Sequence, residues 1–201
     1  MKVKVCGIVA KEQLEELDTI DVDMIGRIFY PSSPRSMQNL ERTRTKKPQV
    51  GVFVNAETDY IMKQIQIHRF HRVQLHGSES LEQVEILRFN GVEVIKAISL
   101  ADEFPQAEVE YYSGSVDYFL FDTKGLNPGG NGQAFNWKLL DEYQEKTPFF
   151  LSGGIGPGHA NAIKKFSHPA LFAIDINSGF EIKPGLKDIK KIKTFLNEIQ
   201  A

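Results

Sequence analysis

The chain has 201 residues, of which 41% are hydrophobic and 25% charged, a composition typical of a soluble globular domain and not of a disordered segment. Its formal net charge of -2 gives no bulk attraction to nucleic acid or an acidic membrane surface, so an anionic ligand must be held by a local site. The single cysteine excludes a disulfide framework, and with no signal peptide and no stretch of about 18 to 20 apolar residues we expect a cytoplasmic protein without nucleic-acid or membrane partners.

Short runs rich in Val, Ile and Phe alternate with longer segments whose apolar residues recur at helical spacing, the pattern of repeated βα units. The predicted strands are residues 2–8, 23–29, 50–54, 72–76, 93–98, 116–122, 149–152 and 171–176. The predicted helices are residues 11–17, a helix carrying Met37 and Leu40, then 58–67, 80–89, 99–113, 135–143, 158–166 and 186–199. We expect them to form one domain, residues 1–201.

Eight such units favour a closed parallel (β/α)8 barrel, the TIM-barrel class, for which about 200 residues is the lower size limit. An open doubly wound sheet is the alternative, because both folds bury parallel strands on both faces. The barrel is favoured because it gathers the C-terminal ends of all strands on one active-site face. Chemically distinctive residues fall at or just beyond those ends: Cys6, Arg35, His76, Asp122, Gly153 and Asp175.

Two glycine-containing loops follow the seventh and eighth predicted strands. The first contains Gly153 and Gly154, and the second contains Ser178 and Gly179. Glycine lets backbone N–H groups approach an anion closely, and barrels commonly bind phosphate in these two loops. Each cluster alone is more often an ordinary turn. Their pairing nevertheless predicts a site for a phosphorylated small molecule.

Other ligand motifs do not match. Asn131 stands where a P-loop requires lysine, and His159 stands where a dinucleotide fingerprint requires its third glycine. His68 and His71 have no further ligands at zinc-site spacing. We therefore expect neither a nucleotide cofactor nor a metal.

Cys6 and Asp122 are candidates for proton transfer. A lone cysteine on a strand is usually a small buried hydrophobe, but Cys6 ends the first strand, where a thiolate could act as a general base. Asp122 closes the sixth strand and is equally compatible with a turn residue or with a proton donor. A base and an acid on different strands suit an isomerisation by proton transfer.

Arg35 and His76 are candidate substrate contacts. Arg35 follows two prolines that stiffen its loop, and its planar guanidinium could pair with a carboxylate, although a lone loop arginine is more often solvated. His76 is more often structural at such a place, but a strand end makes a substrate contact plausible.

Six blocks, taken in order, resemble the phosphoribosylanthranilate isomerase family and span nearly the whole chain. They are KVCGI (4–8), FYPSSPR (29–35), VQLHG (73–77), FDT with GGNG and FNW (121–123, 129–132 and 135–137), LSGGI (151–155), and DINSGFE with PG and KD (175–181, 184–185 and 187–188). Two positions depart from the pattern: Asn131 stands where the family has Thr, and Asn136 where Asp is commoner.

The resemblance implies an Amadori rearrangement of N-(5-phosphoribosyl)anthranilate to 1-(2-carboxyphenylamino)-1-deoxyribulose 5-phosphate, in tryptophan biosynthesis, without metal or organic cofactor. By correspondence with the family motifs, Cys6 is the general base and Asp122 the general acid. Arg35 corresponds to the residue that holds the anthranilate carboxylate. Asp175 completes the expected substrate contacts, together with His76 and the two glycine-containing loops.

Two other classes remain open at this point. Another phosphate-binding barrel is one, but an indole-glycerol-phosphate synthase would need a Lys and Glu pair, and a histidine-pathway isomerase a pair of Asp residues, so Cys6 argues against both. A non-catalytic sugar-phosphate-binding module is the other, and the presence of both Cys6 and Asp122 disfavours it. The sequence leaves the oligomeric state open, with a monomer as the default expectation.

Overall fold

The structure is a computed structural model that describes residues 1–37, 43–123 and 136–201. Eight strands pair in chain order, each parallel to the next, and β8 pairs with β1 to close a barrel. The predicted (β/α)8 barrel is thereby confirmed and the open sheet excluded. The strands are β1 Lys2–Cys6, β2 Met24–Ile28, β3 Gln49–Phe53, β4 Arg72–Leu75, β5 Glu93–Leu100, β6 Tyr118–Thr123, β7 Phe149–Leu151 and β8 Leu171–Ile176.

Helices connect most of these strands. Within the described residues the α-helices are α1 Lys11–Leu17, α2 Thr58–His68, α3 Leu81–Phe89, α4 Gln106–Tyr112, α5 Ala160–Lys165 and α6 Ile189–Gln200. Short 3-10 helices span Trp137–Glu142, Pro157–His159 and Ser178–Phe180, and β9 Glu181–Lys183 forms an antiparallel hairpin with β10 Leu186–Lys187. None of the helices in the described ranges is long and apolar enough to cross a membrane.

Local sequence explains why the helices begin where they do and which face they bury. The Ser80 side chain accepts a hydrogen bond from the Gln83 N–H and so caps α3. Asp188 caps α6 in the same way through the Lys191 N–H. The α6 helix buries Ile192, Phe195 and Leu196, which lie three and four residues apart on one face.

Each barrel strand has one face toward the helices and one toward the barrel axis. In β1, Val3 and Val5 pack in the large core between strands and helices, whereas Lys4 and Cys6 point inward. A separate apolar cluster fills the interior near the N-terminal ends of the strands: Met24, Val50, Ile95, Ala97, Leu120, Phe150 and Ala173. The polar inward-facing residues therefore lie above a closed apolar floor, near the C-terminal ends.

Two predicted helices start too early. The helix predicted over 99–113 begins only at Gln106, because β5 continues to Leu100 by pairing with β6 and Pro105 then precedes the helix. The helix predicted over 186–199 begins at Ile189, because Leu186–Lys187 pairs with β9 instead.

The predicted elements flanking the two undescribed segments are confirmed only in part. Met37 lies in a loop, and Leu40 lies outside the described residues. In place of a helix over 135–143 there is a 3-10 helix at Trp137–Glu142, capped by the Asn136 side chain, which accepts a hydrogen bond from the Lys138 N–H at 3.2 Å. The glycine-rich block 129–132, with Asn131, also lies outside the described residues.

Candidate active site

A pocket opens at the C-terminal ends of the barrel strands. Except for Gly179, every residue predicted from the sequence for the site lines it: Cys6, Arg35, His76, Asp122, Gly153, Gly154, Asp175 and Ser178. Gly179 follows Ser178 in the same short helix. The fold thus brings together residues from six parts of the chain.

Cys6 lies at the end of β1 and is 4% exposed. Its register partner is Gly26 of β2, and a Cβ atom at Gly26 would lie 2.6 Å from the Cys6 Sγ atom. The missing side chain of Gly26 therefore creates the space that the thiol occupies. Burial raises the pKa of the Cys6 thiol, and the positive charges of Lys4 and Lys187 act against that increase.

Lys4 and Asp175 form a buried ion pair at the base of the pocket. The Lys4 Nζ atom lies 3.0 Å from Asp175 Oδ2 and 2.9 Å from Gln74 Oε1. Burial raises the pKa of Asp175, and the contact with Lys4 opposes that shift. Asp175 Oδ1 is buried and has no hydrogen-bond partner among the described residues. An acceptor is thus available to a hydroxyl group in the pocket.

Asp122 closes β6 and is 5% exposed. Its Oδ1 atom accepts a hydrogen bond from the Thr123 N–H at 2.9 Å, and its Oδ2 atom lies 3.4 Å from His76 Nε2. The other ring nitrogen of His76 lies 3.2 Å from Gln74 Nε2. These contacts fix the carboxyl group at the pocket wall, with an imidazole beside it.

Arg35 is held by Glu181 across the mouth of the barrel. Its Nε atom lies 2.9 Å from Glu181 Oε1 and its Nη2 atom 2.6 Å from Glu181 Oε2, a bidentate pair. Lys187 Nζ also donates to Glu181 Oε1 at 2.7 Å. Burial alone would raise the pKa of Glu181, but these hydrogen bonds outweigh it and lower that pKa to about 2. One carboxylate thus neutralises one of two adjacent cations.

The loops after β7 and β8 touch each other. Gly153 and Gly154 adopt φ angles of 85° and 63°, in the left-handed region that glycine tolerates best. A Cβ atom at Gly179 would lie 2.5 Å from the Ile155 carbonyl oxygen. Glycine at these positions therefore allows two stretches of backbone to lie side by side on the pocket wall.

The structure adds residues that the sequence reasoning did not select. Lys4 and Gln74 precede Cys6 and His76 by two residues, so strand alternation would have placed both directly beneath the candidate site. Glu181 had no comparable local signal, since its partner Arg35 is 146 residues away in sequence.

A closed parallel barrel with a pocket of ionisable side chains at the C-terminal ends of its strands defines a (β/α)8-barrel enzyme. Residues 3–198 match the family model described as N-(5'-phosphoribosyl)anthranilate (PRA) isomerase. The chain therefore belongs to the N-(5'-phosphoribosyl)anthranilate isomerase family and is an isomerase.

Relatives cover the chain almost end to end. The N-(5'-phosphoribosyl)anthranilate isomerase of Parabacteroides distasonis is 41% identical, over 99% of this chain and 93% of its own length. That of Phocaeicola vulgatus is 40% identical over 100% and 98%. The crystal structure of the Thermotoga maritima phosphoribosyl anthranilate isomerase superposes with a TM-score of 0.82 at 31% identity, over 100% of this chain and 98% of that one.

A further solved relative carries a bound ligand. It is a phosphoribosyl anthranilate isomerase in complex with reduced 1-(o-carboxyphenylamino)-1-deoxyribulose 5-phosphate, 28% identical, with a TM-score of 0.80 over 100% of this chain and 98% of that one.

Proposed function

We propose that this isomerase converts N-(5-phosphoribosyl)anthranilate to 1-(2-carboxyphenylamino)-1-deoxyribulose 5-phosphate, in the cytoplasm, as a step of tryptophan biosynthesis. Cys6 is the general base and Asp122 the general acid. The observation that carries the proposal is that a thiol from β1 and a carboxyl group from β6 line one pocket, together with the glycine-containing loops after β7 and β8. Family membership and the ligand bound to the solved relative support the choice of substrate.

The reaction needs one proton donor and one proton acceptor in turn. Asp122 gives its proton to the ribose ring oxygen, and the bond from that oxygen to C1 breaks, which leaves a Schiff base between C1 and the anthranilate nitrogen. The Cys6 thiolate then removes the proton from C2, and the electron pair passes to the nitrogen to give an enolamine. Tautomerisation protonates C1 and releases the enol proton, so a ketone forms at C2 with no net change in atoms or charge.

The remaining pocket residues suit the other ends of this substrate. Arg35 uses its Nε and Nη2 atoms for Glu181, and its outer edge serves the anthranilate carboxylate. The backbone around Gly153, Gly154, Ser178 and Gly179 holds the phosphate. Asp175 accepts a hydrogen bond from a substrate hydroxyl through its unpartnered Oδ1 atom, and His76, beside Asp122, is the last contact.

The purified chain tests this proposal directly. Phosphoribosylanthranilate is fluorescent, and we expect the wild-type protein, without added metal or nucleotide, to remove that fluorescence at a rate proportional to protein concentration. Because substrate and product are isomers, product formation is confirmed on chromatography by a new peak of unchanged mass. A folded protein that binds the substrate without converting it would instead indicate a sugar-phosphate-binding barrel, and one that converts only another aminosugar phosphate would indicate a different specificity.

A further inference from the structure

Lys4 lies directly beneath Cys6 inside the barrel. The two residues are two positions apart on β1, so their side chains share its inward face. Lys4 is fully buried, and Cys6 is nearly so. In the barrel register, Lys4 pairs with Asp175 on β8, and Cys6 pairs with Gly26 on β2. Neither Asp175 nor Gly26 places a bulky apolar side chain between the Lys4 ammonium group and the Cys6 thiol.

Two acceptors hold the Lys4 ammonium group in place. Nζ donates to Asp175 Oδ2 and to Gln74 Oε1, on opposite sides of β1 in the barrel order, so the long side chain has little rotational freedom. An ammonium group has three N–H donors, and these two acceptors use two of them. The positive charge is also close enough to interact electrostatically with the Cys6 thiol.

We propose that Lys4 is a positioning residue whose ammonium group, fixed by Asp175 and Gln74, stabilises the Cys6 thiolate from below. The inference rests on the role of Cys6 in the proposed function and extends it. A buried thiol forms a thiolate only at a cost, because the charge leaves water. A buried cation two residues away supplies the compensating charge without occupying the pocket.

The other charged groups around Cys6 serve this role less well. Asp175 faces it from β8 and disfavours the thiolate. Lys187 faces it from β10, but its Nζ atom donates to Asn177 O, Asn177 Oδ1 and Glu181 Oε1, which account for all three donors. Arg35, from the loop after β2, is paired with Glu181.

Further groups complete the surroundings without changing this conclusion. Asp122 and His76 line the same pocket and interact with Asp175. The neighbouring strand β2 contributes Gly26, which carries no charge. Lys4 is therefore the cation whose placement is set by two residues of the barrel strands, Asp175 and Gln74, and not by the loops at the mouth.

A direct titration of the thiol tests the proposal without substrate. Cys6 is the only cysteine of the chain, so the ultraviolet absorbance of a thiolate, measured against Cys6→Ser as the blank, reports this group alone. We expect the midpoint in Lys4→Met to lie about one pH unit or more above the wild-type midpoint, the effect of removing an opposite charge at close range. An unchanged midpoint in Lys4→Met would overturn the proposal.

Lys96→Met is the matched control. Lys96 is also fully buried, and its Nζ atom lies 3.0 Å from the buried Glu79 carboxylate. Its replacement removes an equivalent internal ion pair, so a merely structural disturbance would move the Cys6 midpoint in both variants. We expect Lys96→Met to keep the wild-type midpoint.

A second pair of variants covers the case in which Lys4→Met does not fold. The double variant Lys4→Met/Asp175→Asn carries no buried unpaired carboxylate. The single variant Asp175→Asn is the protein with which its midpoint is compared. We expect the double variant to titrate above that reference, and equal midpoints would refute the role of Lys4. The thiol titration uses no substrate, so it is independent of the activity assay. If the wild-type protein were inactive but the Lys4 variants still titrated at a higher pH, the proposed function would be wrong and this inference would stand.

Discussion

At the scale of single residues, the space around the Cys6 thiol depends on the absence of a side chain at the neighbouring Gly26. Gly26 faces Cys6 in the β1–β2 register, and a methyl group there would meet the Sγ atom at 2.6 Å, well inside van der Waals contact. Lys4 lies below the thiol and Asp175 beside Lys4. The space and the charge around this one sulfur atom are therefore set by Gly26, Lys4 and Asp175.

The first prediction concerns Gly26→Ala. The added methyl group displaces the thiol, and since a misplacement of about 1 Å can cost a factor of about a hundred in rate, we expect kcat to fall by roughly tenfold to a hundredfold. KM should change little, because the proposed contacts to the substrate phosphate and carboxylate lie elsewhere. Steady-state kinetics on phosphoribosylanthranilate measures both.

Gly158→Ala provides the control for this prediction. A Cβ atom at Gly158 meets nothing within 4 Å, so this substitution adds the same methyl group without crowding a neighbour. We expect wild-type kcat in Gly158→Ala. A Gly26→Ala protein that turns over as fast as Gly158→Ala would show that the position of the thiol does not limit the reaction.

The second prediction concerns Arg35→Met, which removes the proposed partner of the anthranilate carboxylate. A hydrogen bond to a charged group contributes about 1.5 to 3 kcal/mol, so we expect KM to rise by roughly tenfold to a hundredfold. The variant leaves Cys6 and Asp122 in place, and kcat should fall less than KM rises. Titration of a substrate analogue with and without its carboxylate measures the same loss directly.

Arg72→Met is the comparison for Arg35→Met. Arg72 also pairs with a glutamate, Glu93, but at the opposite end of the barrel strands. We expect its KM to match that of the wild type. Equal affinities of Arg35→Met and wild type for the carboxylate-bearing analogue would remove Arg35 from the binding site.

Much of the candidate site was predictable from residues at strand ends. Cys6, Asp122 and His76 were selected because a barrel gathers such ends on one face, and they do line one pocket. The partners of these residues were harder to predict. Glu181 pairs with Arg35 only because β8 closes against β1, a long-range event that no local pattern encodes.

At the scale of elements, the loops after β7 and β8 behave as one surface. Gly179 lets the second loop approach the Ile155 carbonyl oxygen, and Gly153 and Gly154 give the first loop its left-handed backbone. The hairpin β9–β10 follows and places Glu181 and Lys187 next to Arg35. Each connection is shaped by backbone packing as much as by side-chain chemistry.

The third prediction concerns Gly179→Ala. Its methyl group would meet backbone, the Ile155 carbonyl oxygen at 2.5 Å, which cannot move aside as a flexible side chain can. We expect the two loops to separate and the affinity for the phosphorylated substrate to fall roughly tenfold or more. Competitive inhibition by inorganic phosphate should weaken in parallel.

Calorimetric titration of the substrate analogue checks this result, and Gly158→Ala after β7 is again the unstrained reference. If Gly179→Ala bound the phosphorylated analogue as tightly as Gly158→Ala does, the loop pair would not be the phosphate site.

The fourth prediction concerns acid stability and Glu181. Its pKa is lowered from 4.5 to about 2, so the carboxylate stabilises the folded state above pH 4.5, and that stabilisation is lost as the pH falls through 2. The shift corresponds to at most about 3 kcal/mol. We expect Glu181→Gln to lack this part of the pH dependence of the free energy of unfolding.

Urea denaturation at several pH values between 5 and about 2 measures the difference. Glu198→Gln, at an exposed position of α6, is the reference and should follow the wild type. The ion pairs of Glu181 would contribute nothing to stability if Glu181→Gln and Glu198→Gln lost stability equally with falling pH.

Sequence periodicity located the strands well and the helices less well. Every predicted strand exists, because runs of β-branched and aromatic residues buried on both faces are a strong signal. The predicted starts of the helices that follow β5 and β10 were wrong. Leu100 and Leu186 are apolar at positions that fit both the helical and the strand periodicity. Strand pairing decided the outcome there, and pairing is a tertiary property.

At the scale of the whole molecule, the closed barrel is what makes one site out of distant segments. Eight repeated units, with distinctive residues at the strand ends, predicted a closed barrel, and the pairing of β1 with β8 confirms it. We propose that residues 1–201 fold as a single domain, because the apolar core between strands and helices runs from Val3 to Leu196. The division of the barrel interior into an apolar floor and a polar mouth then confines chemistry to one end.

The paired roles of Cys6 and Asp122 are tested most directly by the turnover of Cys6→Ser and Asp122→Asn, each with its affinity for reduced 1-(2-carboxyphenylamino)-1-deoxyribulose 5-phosphate. General acid–base catalysis contributes about a hundredfold to ten-thousandfold, so we expect kcat to fall at least about a hundredfold in each variant while analogue affinity stays within a few-fold of wild type. Wild-type turnover in either variant would contradict the account.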